Sequence, residues 1–201
     1  MPSTFALRPL RTRFFAAPTL TVARSLVGVV LRYGASAGVI VETEAYTDDP
    51  ASHFVTRRKA AGLLMGETFG RVYVYRIYGV HFCLNFTTDR HGPGAVLVRA
   101  IEPLHGIDAM RHRRGEDDTR KLANGPGKLC QALGIDASIN GTEATELFRF
   151  EPPRRAHDVT ISPRIGISRG IDLPWRFVLT GSPFGSRREA SSLLPKKKSL
   201  R

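Results

Sequence analysis

Cysteine is nearly absent. Cys83 and Cys130 are the whole complement of a 201-residue chain, and each sits in an apolar stretch with no histidine at metal-ligand spacing. Two buried free thiols in a reducing compartment are expected, not a disulfide framework or a thiolate metal site. No stretch approaches the roughly 18 consecutive apolar residues of a membrane span, and no long basic amphipathic helix offers a surface anchor. No membrane partner is expected. The first 18 residues carry Arg8, Arg11 and Arg13 but no hydrophobic signal core, so secretion is not expected either. Several catalytic and nucleotide-binding signatures are missing as well. There is no phosphate-binding loop ending in Gly-Lys-Ser/Thr, no Gly-x-Gly-x-x-Gly after a strand, no Gly-x-Ser-x-Gly elbow and no His-Glu-x-x-His. The six histidines are scattered. Neither a metal nor a cofactor is expected, and any catalysis must rest on carboxylates, tyrosines, histidine and the backbone.

Acidic residues are the minority partner. Thirty Lys and Arg against 18 Asp and Glu give a net charge of +12 and a pI near 10.5. Such an excess points to a polyanionic partner held through phosphate neutralisation, with steep salt dependence. Length and an ordinary 42% hydrophobic fraction suit one domain with a substantial core. Residues 1–18 read as a basic arm, 19–185 as the folded domain, and 186–201, ending in Lys196-Lys197-Lys198, as a basic and disordered tail.

Periodicity predicts a helix over Leu20 to Val27, then strands over Val29 to Tyr33 and Ala37 to Glu44 joined at Gly34-Ala35-Ser36. Asp48 to Gly70 is irregular, closing with a helical turn over Ala60 to Met65. Arg71 to Arg76 and Val80 to Phe86 read as a hairpin, with Phe82, Leu84 and Phe86 on one face and His81, Cys83 and Asn85 on the other. A strand over Ala95 to Ile101 contains Arg99 in an otherwise apolar run. Leu104 to Arg113 reads as a helix. Gly125-Pro126 opens a second one that closes at Gly134, and its N-terminal amides with Lys128 form a candidate phosphate site. Strands follow over Glu146 to Phe150, Val159 to Ile161, Arg164 to Ser168 and Arg176 to Thr180. Runs of strands with few helices between them predict an α+β fold with a mainly antiparallel, curved sheet flanked by short helices.

Two stretches bear chemistry. In Val39 to Tyr46, period-two alternation puts Val39, Val41, Thr43 and Ala45 on one face and Ile40, Glu42, Glu44 and Tyr46 on the other. Two carboxylates and a phenol on one side mean either an ion-paired edge or a reactive site, and alternation does not choose between the two acids. Aromatics make up only 8% of the chain, yet Tyr73, Tyr75 and Tyr78 fall within six residues. Tyr73 reads as core, while Tyr78 at a hairpin tip reads as a wedge into a base stack. A carboxylate beside flat rings is also the layout of a pocket for an extruded base.

Glu42-Thr43-Glu44-Ala45-Tyr46, Asp49-Pro50-Ala51-Ser52-His53 and Tyr73 through Asn85 resemble the alkyladenine (3-methyladenine) DNA glycosylase family. Val96 to Leu104, Gly125 to Leu133 and Arg164-Ile165-Gly166-Ile167 continue the likeness in order, over about residues 20 to 184. The resemblance implies a single-domain, monofunctional hydrolase of N-glycosyl bonds that needs no metal or cofactor. It implies double-stranded DNA containing damaged purines as partner: 3-methyladenine and 7-methylguanine, with hypoxanthine and ethenoadenine as further candidates. Glu44 matches the general base, and Arg99 and the Ile165 carbonyl match the groups that hold the attacking water. Tyr46 and Tyr75 match the rings that sandwich the flipped base, with His53 at its border. Asn85 matches the asparagine that rejects the amino group of guanine, and Tyr78 the residue that fills the vacated duplex. Lys128 and Arg164 are candidates for the DNA backbone. A monomer is expected, in the cytoplasm and nucleoid of a bacterium or the nucleus of a eukaryote. The chain departs from the family pattern in Arg57 to Phe69, where Ala61-Gly62 replaces an Arg-Asn pair. A non-catalytic module of the same fold that binds damaged DNA or RNA is the alternative reading.

Overall fold

The structure, a computed structural model, describes residues 9–57, 61–153 and 155–186. Among the described residues, eight strands form one antiparallel sheet: β1 (Val30–Tyr33), β2 (Ser36–Tyr46), β3 (Val72–Ile77), β4 (His81–Thr87), β5 (Ala95–His105), β6 (Phe148–Glu151), β7 (Val159–Ser162) and β8 (Arg176–Leu179). The helices are short: α1 (Thr19–Leu26), α2 (His53–Thr56), α3 (Ala61–Glu67), α4 (Ile107–Arg114), α5 (Thr119–Leu122), α6 (Pro126–Leu133) and α7 (Ala144–Leu147). This is the α+β architecture expected from the sequence.

The main path runs β3-β4-β5-β2-β1-β6, and β8, carrying β7, also pairs with β2. β2 is therefore the hub. Along one edge it pairs with β5 throughout, while along the other Ser36 to Val39 pair with β1 and Glu42 to Glu44 with β8. Partners on both sides seal its edges, and the apolar core on one face with the arginines and Ser186 on the other bury nearly all of β2.

Three irregularities interrupt the β2–β5 ladder: Ala37 faces His105 and Gly38 faces Pro103, which leaves Leu104 extra at the end of β5, and two more lie near the middle. Ile40 faces Ile101 and Glu42 faces Ala100, so Val41 is an extra residue on β2; Thr43 then faces Val98, so Arg99 is an extra residue on β5. Bulges of this kind re-aim side chains and recur beside active sites. They also correct the expected alternation. Ile40 and Ile101 join the apolar core together with Ala45, Val96 and Val98, so Ile40 does not share the face of Glu44.

The core lies on the side of the sheet covered by α1 and α6. Phe15, Leu26, Phe86, Phe150 and Leu129 are among its fully buried members. Phe15 corrects the expected N-terminal arm: a 3-10 turn over Thr12–Ala16 packs its ring against Phe86 and Phe150. Three further expectations shift. β5 runs on to His105, and the following helix starts only after Gly106, whose φ of 71° ends the strand. Arg164 to Ser168 is a loop and not a strand. Ser186, assigned to the tail, is bonded into the domain; residues 187–201 lie outside the described residues, as do residues 1–8 of the arm. Among the described residues, no helix is long and apolar enough to cross a membrane.

Candidate active site

The ladder of the sheet aligns a row of side chains across five strands. Tyr73 on β3 faces Asn85 on β4, Asn85 faces Leu97 on β5, Leu97 faces Glu44 on β2, and Glu44 faces Arg176 on β8. Paired residues in register share a face. The next row toward the hairpin tip pairs Tyr75 with Cys83. Of these side chains Tyr73, Tyr75, Cys83, Asn85 and Leu97 floor a cavity of about 910 Å³, lined also by Tyr46, His53, Arg99, Ile165 and Ser186. The expected division of β4 is realised: Leu84 and Phe86 enter the core while Cys83 and Asn85 face the cavity.

Glu44 lies just beneath the cavity wall with no exposed surface. Its Oε2 accepts hydrogen bonds from the Tyr46 hydroxyl at 2.8 Å and from Arg99 Nη1 at 3.1 Å, and its Oε1 accepts from the Ile165 amide at 2.7 Å. The sequence reading assigned the Ile165 carbonyl a part here, and the structure brings its N–H to the carboxylate. The loop over 164–168 makes this reach. Burial, followed by the charge and hydrogen bond of Glu44, pushes the Tyr46 phenol far above its ordinary value, so it stays a donor.

Glu42 anchors the other end of Arg99. Its Oε1 accepts from Arg99 Nε at 3.0 Å, Arg176 Nε at 2.8 Å and Ser186 Oγ at 2.7 Å, and its Oε2 accepts from the Ser186 amide at 2.6 Å. Burial pushes the Glu42 carboxyl up, but the Ser186 amide, Arg176 and Arg99 outweigh it and hold the group below the ordinary carboxylate range. Arg99 itself loses hydration, yet the two carboxylates raise its affinity for the proton above normal. One planar guanidinium thus spans both acids, a geometry that arginine supports and lysine does not.

The aromatic wall is equally specific. His53 Nδ1 lies 2.7 Å from the Tyr73 hydroxyl, and its ring meets Tyr75 edge-on at 4.4 Å. Ser52 caps α2 through the Phe54 amide and sets the position of His53. Burial, with Arg57 nearby, lowers His53 to about 4, so its ring is neutral at physiological pH. Asn85 Nδ2 donates to the carbonyls of Tyr73 at 3.0 Å and Cys83 at 3.3 Å. Tyr73, read from sequence as core, is nearly buried but lines the cavity. Met65 of α3 packs beneath it.

Tyr78 is 88% exposed at the tip of the β3–β4 hairpin. Tyr78 and Gly79 have φ of 50° and 72°, and Val80 N–H returns to the Ile77 carbonyl. Positive φ at both central residues is the type I′ signature, whose twist matches that of the strands. Lys128 is exposed on the first turn of α6, where its amine donates to Asn124. Gly125 and Pro126 beside it line the cavity.

Arg164 corrects an expectation. Its side chain has no exposed surface: Nη2 is 2.7 Å from Asp49 Oδ1 and Nη1 is 2.9 Å from the Ala45 carbonyl. Its guanidinium lies against the rings of Tyr46 at 4.6 Å and Trp175 at 5.1 Å. A cation so enclosed is not presented to a phosphate; it braces the back of Tyr46. Sequence reasoning missed Asp49, Arg176 and Ser186, because their partners are far away in the chain. Among the described residues, no group of three or more His, Cys, Asp or Glu is placed to hold a metal.

The sequence profile of a family described as "Methylpurine-DNA glycosylase (MPG)" matches residues 13–183. A protein of Nitrosospira multiformis named "Putative 3-methyladenine DNA glycosylase" is 49% identical over 176 residues, covering 86% of this chain and 91% of its own. Proteins with the same name from Agrobacterium fabrum and Methanoculleus marisnigri are 48% and 44% identical, covering 87% and 89% of this chain and 91% and 99% of their own.

Proposed function

The chain belongs to the methylpurine-DNA glycosylase family, and from that premise we propose that it is a DNA-repair glycosylase that excises alkylated purines from duplex DNA. Tyr78 enters the stack as the damaged nucleotide swings into the cavity between Tyr46 and Tyr75. Glu44 deprotonates a water that attacks the anomeric carbon, the base departs, and an abasic site remains with the strand intact.

One observation carries this reading: a fully buried carboxylate, fixed by Arg99, directly behind a cavity walled by tyrosines. A carboxylate oxygen offers about two acceptor sites. Oε2 is taken by Tyr46 and Arg99, while Oε1 holds only the Ile165 amide. The remaining site on Oε1, next to a cavity-lining residue, is where a water can be held and activated. The same negative charge stabilises the oxocarbenium-like sugar as the glycosidic bond breaks.

The chemistry favours cationic leaving groups. A 3-methyladenine or 7-methylguanine base already carries positive charge and departs without protonation. Tyrosine faces attract such a base by roughly 0.5–2 kcal/mol. His53, at about 4, is a poor proton donor at neutral pH, and burial pushes Tyr75 further still from donating a proton. Asn85, pinned by its Nδ2 to two carbonyls, is held firmly enough to exclude the amino group of normal guanine. Hypoxanthine and ethenoadenine, which need help in leaving, should be slower substrates. The +12 charge supplies the non-specific grip on DNA.

The test is direct. The purified protein is incubated, without added metal, with duplexes carrying 7-methylguanine or hypoxanthine, and abasic sites are counted. Release of 7-methylguanine with an intact strand supports the proposal. Tight binding of both duplexes with no base release would establish the non-catalytic binding module instead.

A further inference from the structure

Ser186 reaches the site from the far end of the described chain. β8 ends at Leu179, a turn returns the Ser182 amide to the Leu179 carbonyl, and the Phe184 amide donates to Ser182 Oγ. This bent segment delivers Ser186 to the cavity wall beside Arg99. There its amide donates to Glu42 Oε2 at 2.6 Å, its hydroxyl donates to Glu42 Oε1 at 2.7 Å, and Arg99 Nη2 approaches its Oγ at 3.5 Å. A single residue therefore touches the carboxylate that grips Arg99 and Arg99 itself.

We propose that Ser186 is a positioning residue for base excision: it holds Glu42 so that Arg99 stays locked against Glu44. This inference rests on the roles of Glu44 and Arg99 proposed above. The guanidinium is planar, so Nε on Glu42 and Nη1 on Glu44 are set by one rigid plane. If Glu42 shifts, the plane tilts and Glu44 loses its orienting partner. A buried carboxylate keeps its charge and place only while its acceptor sites are filled. Ser186 fills two of the four contacts on Glu42, and Arg99 and Arg176 fill the others.

A pH signature follows. The charged groups around Glu42 are Arg99 from β5, Arg176 from β8 and, further along β2, Glu44 with the Tyr46 phenol. The two arginines favour the ionised form and Glu44 opposes it. Because Glu42 is held below the ordinary carboxylate range, its grip on Arg99 persists above that depressed value and is lost as the pH falls through it. Removing the Ser186 hydroxyl raises the value, so the grip is lost at a higher pH.

The experiment is single-turnover release of 7-methylguanine at saturating enzyme, from acid to alkaline pH, for the full-length wild type, Ser186→Ala and Ser186→Thr. Affinity for lesion DNA and melting temperature are measured alongside. One hydrogen bond to a charged group corresponds to about one pH unit. The acid limb of Ser186→Ala should therefore move up by about one unit, with roughly tenfold slower release on that limb, near wild-type rates at alkaline pH and lesion affinity unchanged within about twofold. Ser186→Thr, which keeps the hydroxyl, should restore the wild-type profile. A Ser186→Ala profile that overlays wild type would overturn the inference. So would a pH-independent loss that tracks a lower melting temperature. Wild type that releases no base would instead defeat the catalytic reading, and this inference with it.

Discussion

The two faces of strands β2 to β5 share a backbone and differ in everything else. On one, Phe15, Phe86, Phe148 and Phe150 pack with neighbouring ring centroids 5.1 to 6.2 Å apart. On the other, Asn85, Tyr73 and Tyr75 floor a cavity of about 910 Å³, with Glu44 buried behind its wall. The apolar face gains by excluding water and is indifferent to charge. The cavity face holds buried charge that is stable only because each group is bonded: Glu44 has three partners and Glu42 four contacts. Stability should therefore be concentrated on one side and catalysis on the other.

Substitutions can break that division. The largest effect is expected for Glu44→Gln, which keeps the shape but removes the proposed base. Single-turnover release should fall by about 10²- to 10⁴-fold with lesion binding retained, and an unchanged rate would remove Glu44 from its role. Next is Phe86→Ala on the opposite face of the sheet. Denaturant unfolding should register a loss of about 3–5 kcal/mol, while the release rate per folded molecule stays close to wild type. A large rate defect in that variant would mean that the two faces are not independent.

The smallest effect concerns His53, which belongs to the cavity face yet should influence stability. Its value of about 4 in the folded protein lies below the ordinary 6.5. The unfolded chain therefore takes up the proton first, and stability declines as the pH falls from about 6.5 to about 4. His53→Gln should flatten that part of a plot of Tm against pH. Identical slopes for the two proteins would show that His53 is not held neutral by the fold.

The same division explains what could be read in advance. Alternation in β4 separated Leu84 and Phe86 from Cys83 and Asn85, because an unbroken ladder keeps period two. Alternation in β2 placed Glu42, Glu44 and Tyr46 together but misplaced Ile40, because a bulge leaves no mark in the local pattern. Tyr73 reads as core by burial, and its hydroxyl on His53 depends on a helix 20 residues earlier. Ser186 and Arg164 owe their roles to partners on β2 more than a hundred residues away. Arg164, read from the sequence as a candidate for the DNA backbone, is held inside the fold by Asp49. The choice of Glu44 over Glu42 came from the family resemblance, and the distinction in contacts now stands beside it: Glu42 is wrapped by Arg99, Arg176 and Ser186, while Glu44 abuts the cavity lining.

The two bulges carry a further consequence. Val41 is the surplus residue on β2 and Arg99 the surplus residue on β5, one on each strand and nearly opposite. Like two dislocations of opposite sign in a crystal, they cancel, so Gly38 to Ile40 and Thr43 to Tyr46 keep the same register on either side of them. Deleting Val41 alone would leave Arg99 uncompensated and force one strand to slip, turning Glu44 toward the phenylalanines. Any length change tolerated in β2 must therefore be matched in β5. The arginine that lines the cavity sits inside a paired lattice fault that the sheet can keep whole or lose whole, but cannot halve.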